Sequence, residues 1–390
     1  MNGTFWKFAF LHLAAAIGIL TAPIASAAGT LRAYNVDIRE TSVSGLSSGA
    51  DMAVQLDVAF SSIIKGAGII AGGPYYCAQG SLYTAVAACM NTSSPIDVAD
   101  LVRLTKDSAQ LNEIDAVSNL GDHRIWLFSG DKDSVVRPSV VDDLESYYKT
   151  FVKHSNIVHR RRADAEHTMP TETYGKDCPV KDDPYISNCG YDAAGYLLKW
   201  IYGDLNDKAV SPLRGKLIEF DQSDFIANPA AHGMASTGWL FVPENCRAQA
   251  PCRLHVALHG CLQYPAYRYI QDGTFVTFGS TFAEHAGYNE WADTNSIIVL
   301  YPQAQRSPQW FFDFYDALGR NPKGCWDWWG YDNPDYAKKS GSQMVAIRKM
   351  IDKITKGPEN APRRRRVLCR TPTDAEQPEE QKGGDDCSRS

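Results

Sequence analysis

Residues 45–49 read Gly45-Leu46-Ser47-Ser48-Gly49, a G-x-S-x-G pattern with a serine closely flanked by glycines. The pattern does chemistry at a tight strand-to-helix turn, where glycines permit the strained backbone that presents a serine hydroxyl as a nucleophile. The flanks fit: residues 41–46 read as a strand and residues 49–60 as a helix. Acyl transfer through such a serine needs a histidine base and a carboxylate to orient it, and with an elbow of this kind they follow in the order Ser, acid, His. After a predicted strand at 124–129 comes Ser129-Gly130-Asp131-Lys132-Asp133, which offers two carboxylates, Asp131 and Asp133. Ala165-Glu166-His167-Thr168 then places a histidine in a polar loop after a predicted strand at 156–160. A lone loop histidine is weak evidence; the ordered set of three is much stronger.

Such chemistry also needs N–H donors for the oxyanion. One is the backbone N–H of Ser48, directly after the nucleophile. The other normally comes from a His-Gly-type loop upstream of the serine, where this chain has too few residues for several strands. Downstream, Leu254 to Leu258 read as an apolar strand running into His259-Gly260-Cys261-Leu262-Gln263. If that is the missing loop, the chain is circularly permuted, beginning at the nucleophile strand and ending with the strands that usually come first. Chain ends that lie close together make such a rearrangement tolerable.

The elements that must position these residues alternate. Strands are predicted at 41–46, 66–71, 124–129, 156–160, 237–242, 254–259 and 297–301, and helices at 49–60, 97–106, 138–152, 191–202, 276–287 and 337–355. This pattern predicts an α/β fold, a mostly parallel sheet with helices on both faces. The 390 residues, 44% apolar and 22% charged, suffice for a large core. A net charge of −6 offers no global attraction to nucleic acid or an anionic membrane.

Residues 1–27 read as a secretory signal: Lys7, an apolar stretch from Phe8 to Leu20, and small residues at Ala25-Ser26-Ala27. Residues 28–356 form the expected catalytic domain, and 357–390 a polar, mobile tail carrying Arg363-Arg364-Arg365-Arg366. All ten cysteines follow residue 27, as expected of disulfides in an exported chain. Short loops suggest Cys77–Cys89, Cys178–Cys189 and Cys246–Cys252, with Cys369 and Cys387 placed to close a loop in the tail. No C-x-x-C pair supports zinc. Asn91-Thr92-Ser93 is a glycosylation sequon.

Five motifs in order, Gly45-Leu46-Ser47-Ser48-Gly49-Ala50, Gly130-x-x-Asp133-x-x-Val136, Glu166-His167-Thr168, His259-Gly260-Cys261-x-Gln263 and Cys325-Trp326-Asp327-Trp328-Trp329-Gly330, resemble extracellular polyhydroxybutyrate (PHB) depolymerases over about residues 35–350. The likeness is to the group with one circularly permuted α/β-hydrolase domain. It implies Ser47 as nucleophile, His167 as base and Asp133, rather than Asp131, as orienting acid. It further implies the N–H groups of Ser48 and Cys261 as oxyanion donors, no metal or organic cofactor, and a secreted esterase acting on polyester.

Many bacterial depolymerases carry a separate polymer-binding domain, for which the tail is too short and polar. Adsorption would then fall to the catalytic domain's own surface, with a monomer expected on a solid substrate. Two aromatic clusters are candidates. Trp310-Phe311-Phe312-Phe314-Tyr315 reads better as core. Trp326, Trp328 and Trp329 are too closely spaced for a strand to bury all three, so some exposure near the cleft is expected. The rival readings are a feruloyl or acetyl-xylan esterase and, from another class, a polymer-binding protein with a vestigial triad.

Overall fold

The computed structural model describes residues 28–307 and 321–357. Residues 1–27, the first aromatic cluster, the arginine run, Cys369 and Cys387 lie outside the described residues. An eight-stranded sheet organises the rest: β1 Val36–Leu46, β2 Ile64–Ile70, β3 Arg124–Gly130, β4 Ile157–Arg162, β5 Lys216–Asp221, β6 Thr237–Val242, β7 Cys252–Leu258 and β8 Ile297–Tyr301. Their spatial order is β4-β3-β2-β1-β7-β8-β6-β5. The six strands from β4 to β8 run parallel, while β6 is antiparallel to β8 and β5 to β6.

Apart from β1, which buries Thr41, Ser42 and Ser44, the inner strands are largely apolar because helices cover both faces of the sheet. In β8 every residue is buried, and alternate side chains serve opposite cores: Ile298 and Leu300 enter one, Ile297, Val299 and Tyr301 the other. Helix α1, Ser48–Ala59, follows β1 directly, and eleven of its twelve residues are buried, the exception being Asp51. The last described helix, Ser342–Thr355, turns Met344, Ile347, Met350, Ile351 and Ile354 into the core.

The chain order is that of a permuted sheet. β1 lies centrally and comes first, yet its neighbour β7 comes some two hundred residues later. The two ends of the described chain meet: Tyr34 N–H donates to Ile354 O at 2.8 Å, and Gly29 bridges Phe220 at the β5 edge.

Two sequence expectations are corrected. The helix expected at 276–287 starts late, because residues 276 and 277 still belong to a hairpin, Arg268–Gln271 paired antiparallel with Thr274–Thr277. Asp272 and Gly273 take positive φ at its turn, the backbone that a two-residue hairpin loop demands. Only Thr281–His285 is helical, and a second helix, Tyr288–Asn295, follows. The helix expected from 337 starts at Ser342, because residues 334–340 are held in turns, with Gly341 N–H donating to Lys338 O. Three disulfides join the expected pairs, Cys77–Cys89, Cys178–Cys189 and Cys246–Cys252. A fourth, Cys261–Cys325, spans 64 residues. No helix among the described residues is long and apolar enough to cross a membrane.

One buried ion pair secures the far end of α1. His123 Nδ1 donates to Asp57 Oδ1 (2.8 Å) and Nε2 donates to Ser61 O (3.0 Å), while the Tyr148 hydroxyl donates to Asp57 Oδ2 (3.0 Å). Both ring nitrogens face pure acceptors, so the ring is the doubly protonated cation. Burial alone would lower its pKa; the Asp57 charge and the hydrogen bonds override burial and raise it above the ordinary histidine value. A raised folded-state pKa stabilises fully below the unfolded value of about 6.5, and that contribution fades as pH climbs through the folded value. His123→Gln should therefore destabilise by about 3–5 kcal/mol near pH 6, the loss expected for breaking a buried pair. The gap from wild type should narrow towards pH 9 in denaturant unfolding; a gap constant with pH would refute the charged pair.

Candidate active site

Ser47 sits between β1 and α1 at φ 56° and ψ −124°. Its strained backbone is held on both sides: its N–H donates to Ile70 O (3.0 Å), and its carbonyl accepts from Ala50 and Asp51 N–H (2.7 and 3.0 Å). The flanking glycines are sterically required. A Cβ on Gly45 would lie 2.1 Å from Gly49 O, and one on Gly49 would lie 2.4 Å from both His259 O and Leu258 O. The elbow thus packs backbone to backbone against the end of β7, which brings His259-Gly260-Cys261 beside the serine.

Asp133 lies in the loop after β3, where Oδ1 accepts the N–H groups of Val135 and Val136, both at 2.8 Å. Its other oxygen faces His167 Nδ1 at 2.9 Å. That pairing puts the ring proton on Nδ1 and leaves Nε2 as an acceptor. Asp131 is instead largely solvated, 3.8 Å from Arg161. Glu166, unremarked in the sequence beyond its motif, bridges the two loops: Oε2 accepts His167 N–H (2.5 Å) and Ser134 N–H (3.2 Å). Asp133 and His167 are 2% and 6% exposed and Ser47 8%.

Ser47 and His167 open into one cavity of about 320 Å³. Leu82 and Val86, within the loop closed by Cys77–Cys89, and Met90 just after it form one apolar wall. Leu262, Pro322, Trp328 and Trp329 form others. Asp51 also lines it, a residue the sequence reading missed. It lies four positions after Ser47, hence on the same helix face, which was the available signal. Asp51 Oδ1 accepts Gly73 N–H (2.8 Å), yet burial pushes the carboxyl up to about 7.

Of the expected oxyanion donors, Cys261 is in the cavity wall, while Ser48 is buried behind Ser47 at the first position of α1. The first N–H groups of a helix have no partner within the helix. The Cys261 loop is fixed by Gln263: Oε1 accepts Gly260 N–H (2.6 Å) and Nε2 donates to Pro184 O (2.8 Å). The Cys261–Cys325 disulfide ties that loop to the tryptophan segment.

The tryptophans separate. Trp328 and Trp329 line the cavity and Trp326 does not; contrary to the exposure expected, all three rings are buried, because the segment turns instead of forming a strand. Trp326 is fully buried, packed on the His259 ring, and its Nε1–H donates to His259 O (3.0 Å), so it supports the His259-Gly260-Cys261 loop. Asp327 holds the turn that aims the other two, its oxygens accepting N–H groups of Gly330, Tyr331, Asp332 and Asn333 at 2.8–3.2 Å. Burial pushes Asp327 up to about 7 against the pull of those donors.

The sheet order, the elbow at the end of a central parallel strand, and the acid and histidine after the next strands define the α/β-hydrolase class. No family model matches the chain. It is 45% identical over 335 residues to a poly(3-hydroxybutyrate) depolymerase of Delftia acidovorans, covering 85% of this chain and 63% of that protein. It is 40% identical over 336 residues to a polyhydroxybutyrate depolymerase of Talaromyces funiculosus, covering 85% of this chain and 94% of that one. Two solved structures, each 38% identical and covered in full over 85% of this chain, superpose on it. They are the PHB depolymerase of Penicillium funiculosum (TM-score 0.73) and a serine-to-alanine PHB depolymerase complexed with an R3HB trimer (TM-score 0.74). The chain belongs to the PHB depolymerase family.

The elbow contacts generate a direct test. In Gly49→Ala the new methyl must push the end of β7 away, costing about 1–3 kcal/mol as overpacking does. Because the displaced backbone carries His259-Gly260-Cys261, turnover of a soluble ester should fall much further than thermal stability does. A variant with unchanged turnover would show that the close approach is dispensable.

Proposed function

We propose that this chain is a secreted serine esterase that hydrolyses poly(3-hydroxybutyrate) or its oligomers through an acyl-enzyme. The observation carrying the reading is Ser47 at a strained elbow, sharing an apolar cavity with His167, whose Nδ1 is held by Asp133. The family relatives supply the substrate class.

In this reading His167 Nε2 takes the proton of Ser47 Oγ as that oxygen attacks an ester carbonyl, and Asp133 stabilises the resulting imidazolium. The N–H groups of Ser48 and Cys261 receive the oxyanion, each worth on the order of 10²–10³ in rate. Collapse of the adduct breaks the ester C–O bond, and His167 returns the proton to the departing alkoxide. Water, deprotonated by His167, then attacks the acyl-enzyme, releasing a carboxylic acid and restoring Ser47. The reaction so written uses protein groups and water alone. Trp328 and Trp329 offer apolar faces to the methyl-bearing chain. Export is supported by the leader composition and by four disulfides, which persist in oxidising surroundings. The enzyme acts as a monomer, its own surface adsorbing to the polymer.

The test is clearing of an amorphous poly(3-hydroxybutyrate) suspension. Ser47→Ala should lower turnover by roughly 10⁶ and Asp133→Asn by roughly 10⁴, both variants folding normally. Retained clearing by Ser47→Ala would sink the assignment. Wild type that clears nothing but cleaves short soluble esters would move the substrate towards oligomers or plant cell-wall esters. Failure of a fluorophosphonate to label Ser47 would favour a binding protein.

A further inference from the structure

Among the described residues, the cavity wall holds one lysine or arginine, Lys323. Its backbone is fixed beside the oxyanion loop. The Lys323 carbonyl accepts Leu262 N–H (2.8 Å), and two residues on, Cys325 is disulfide-bonded to Cys261. Asn321 closes the segment on itself: Oδ1 accepts Cys325 N–H (2.8 Å) and Nδ2 donates to Cys325 O (2.6 Å). Gly324 makes the turn at φ 63°, where a Cβ would lie 2.2 Å from the Tyr264 ring. The ammonium stem therefore leaves a preorganised backbone at the cavity, and no described carboxylate pairs with it.

A neutral polyester has little use for a cation along its length. Its one anionic group is the carboxylate end, and every hydrolytic turnover makes a new one. The chain's net charge of −6 disfavours such an anion at long range, and Asp51 in the same wall disfavours it locally when ionised. We propose that Lys323 binds the free carboxylate end of short 3-hydroxybutyrate oligomers, so that the site prefers acid-ended chains to blocked ones. The proposal rests on the polyester reading above and names the end-group specificity of that same site.

The experiment compares the (R)-3-hydroxybutyrate trimer as its free acid and as its methyl ester, near pH 7.5. Wild type should show the lower KM for the acid, a preference that weakens as salt is raised. Lys323→Met should raise KM for the acid about 3- to 10-fold, the range of a partly solvated charge-assisted contact, with kcat nearly unchanged. The methyl ester, which also reports correct folding, should be unaffected, and Lys323→Arg should retain the preference. Equal KM for both trimers in wild type, or equal shifts of both in Lys323→Met, would overturn the proposal while leaving the esterase reading standing. Cleavage of neither trimer by wild type would overturn both.

Discussion

Three stretches of backbone, the end of β1, the first turn of α1 and the end of β7, approach so closely that no side chain fits between them. The site depends on this contact. A residue at the φ of Ser47 costs of order 1–3 kcal/mol and persists only where its surroundings over-determine it. Here the sheet supplies the constraint: Gly45 is in register with Leu258 on one side and Ile69 on the other, so β1 cannot slide to relieve the turn. The same contact presses the His259-Gly260-Cys261 loop against Ser47, joining strain and proximity in one packing arrangement.

Outside the main sheet, the loops carrying the other groups rely on few backbone pairings. Short polar side chains do that work instead. Asp133, Glu166, Gln263, Asn321 and Asp327 each satisfy backbone N–H groups of the loop in which they lie or of its neighbour. A buried backbone amide must find a partner, and a carboxylate or amide that takes two or more fixes the loop as firmly as a strand pairing would. Asp133 shows the economy: one oxygen builds its loop and the other holds the histidine.

Much of this was legible because it is local. The ranges 237–242 and 297–301 are those of β6 and β8, since each is a short, mostly apolar run, wholly buried in β8 and largely so in β6. The elbow announced itself through glycines whose Cβ atoms would collide with backbone. Choosing Asp133 over Asp131 needed the resemblance, because two carboxylates two residues apart share one strand-end pattern. The hairpin at Arg268–Thr277 went unassigned except for its last two residues, which the expected helix claimed, although Asp272-Gly273 carried the turn signal. The Cys261–Cys325 bond joins residues far apart in the chain, which no loop-length argument selects. The three tryptophans had one sequence signature and different fates, because the turn built by Asp327 sends Trp326 inward and the next two to the cavity.

The permuted strand order also has a meaning in time. β1 leaves the ribosome early, yet one of its edges has no partner until β7 exists, some two hundred residues later. At about 5–20 residues per second, that is roughly 10–40 s during which a central strand lacks a neighbour on that edge. Such an edge is a template for wrong pairing. A chain that folded as it was made would be exposed throughout that interval, whereas one kept unfolded until its last strand was complete would present both edges of β1 to their partners together. The early place of the Ser47 strand in this chain therefore favours pairing of β1 on that edge only after β7 has been made.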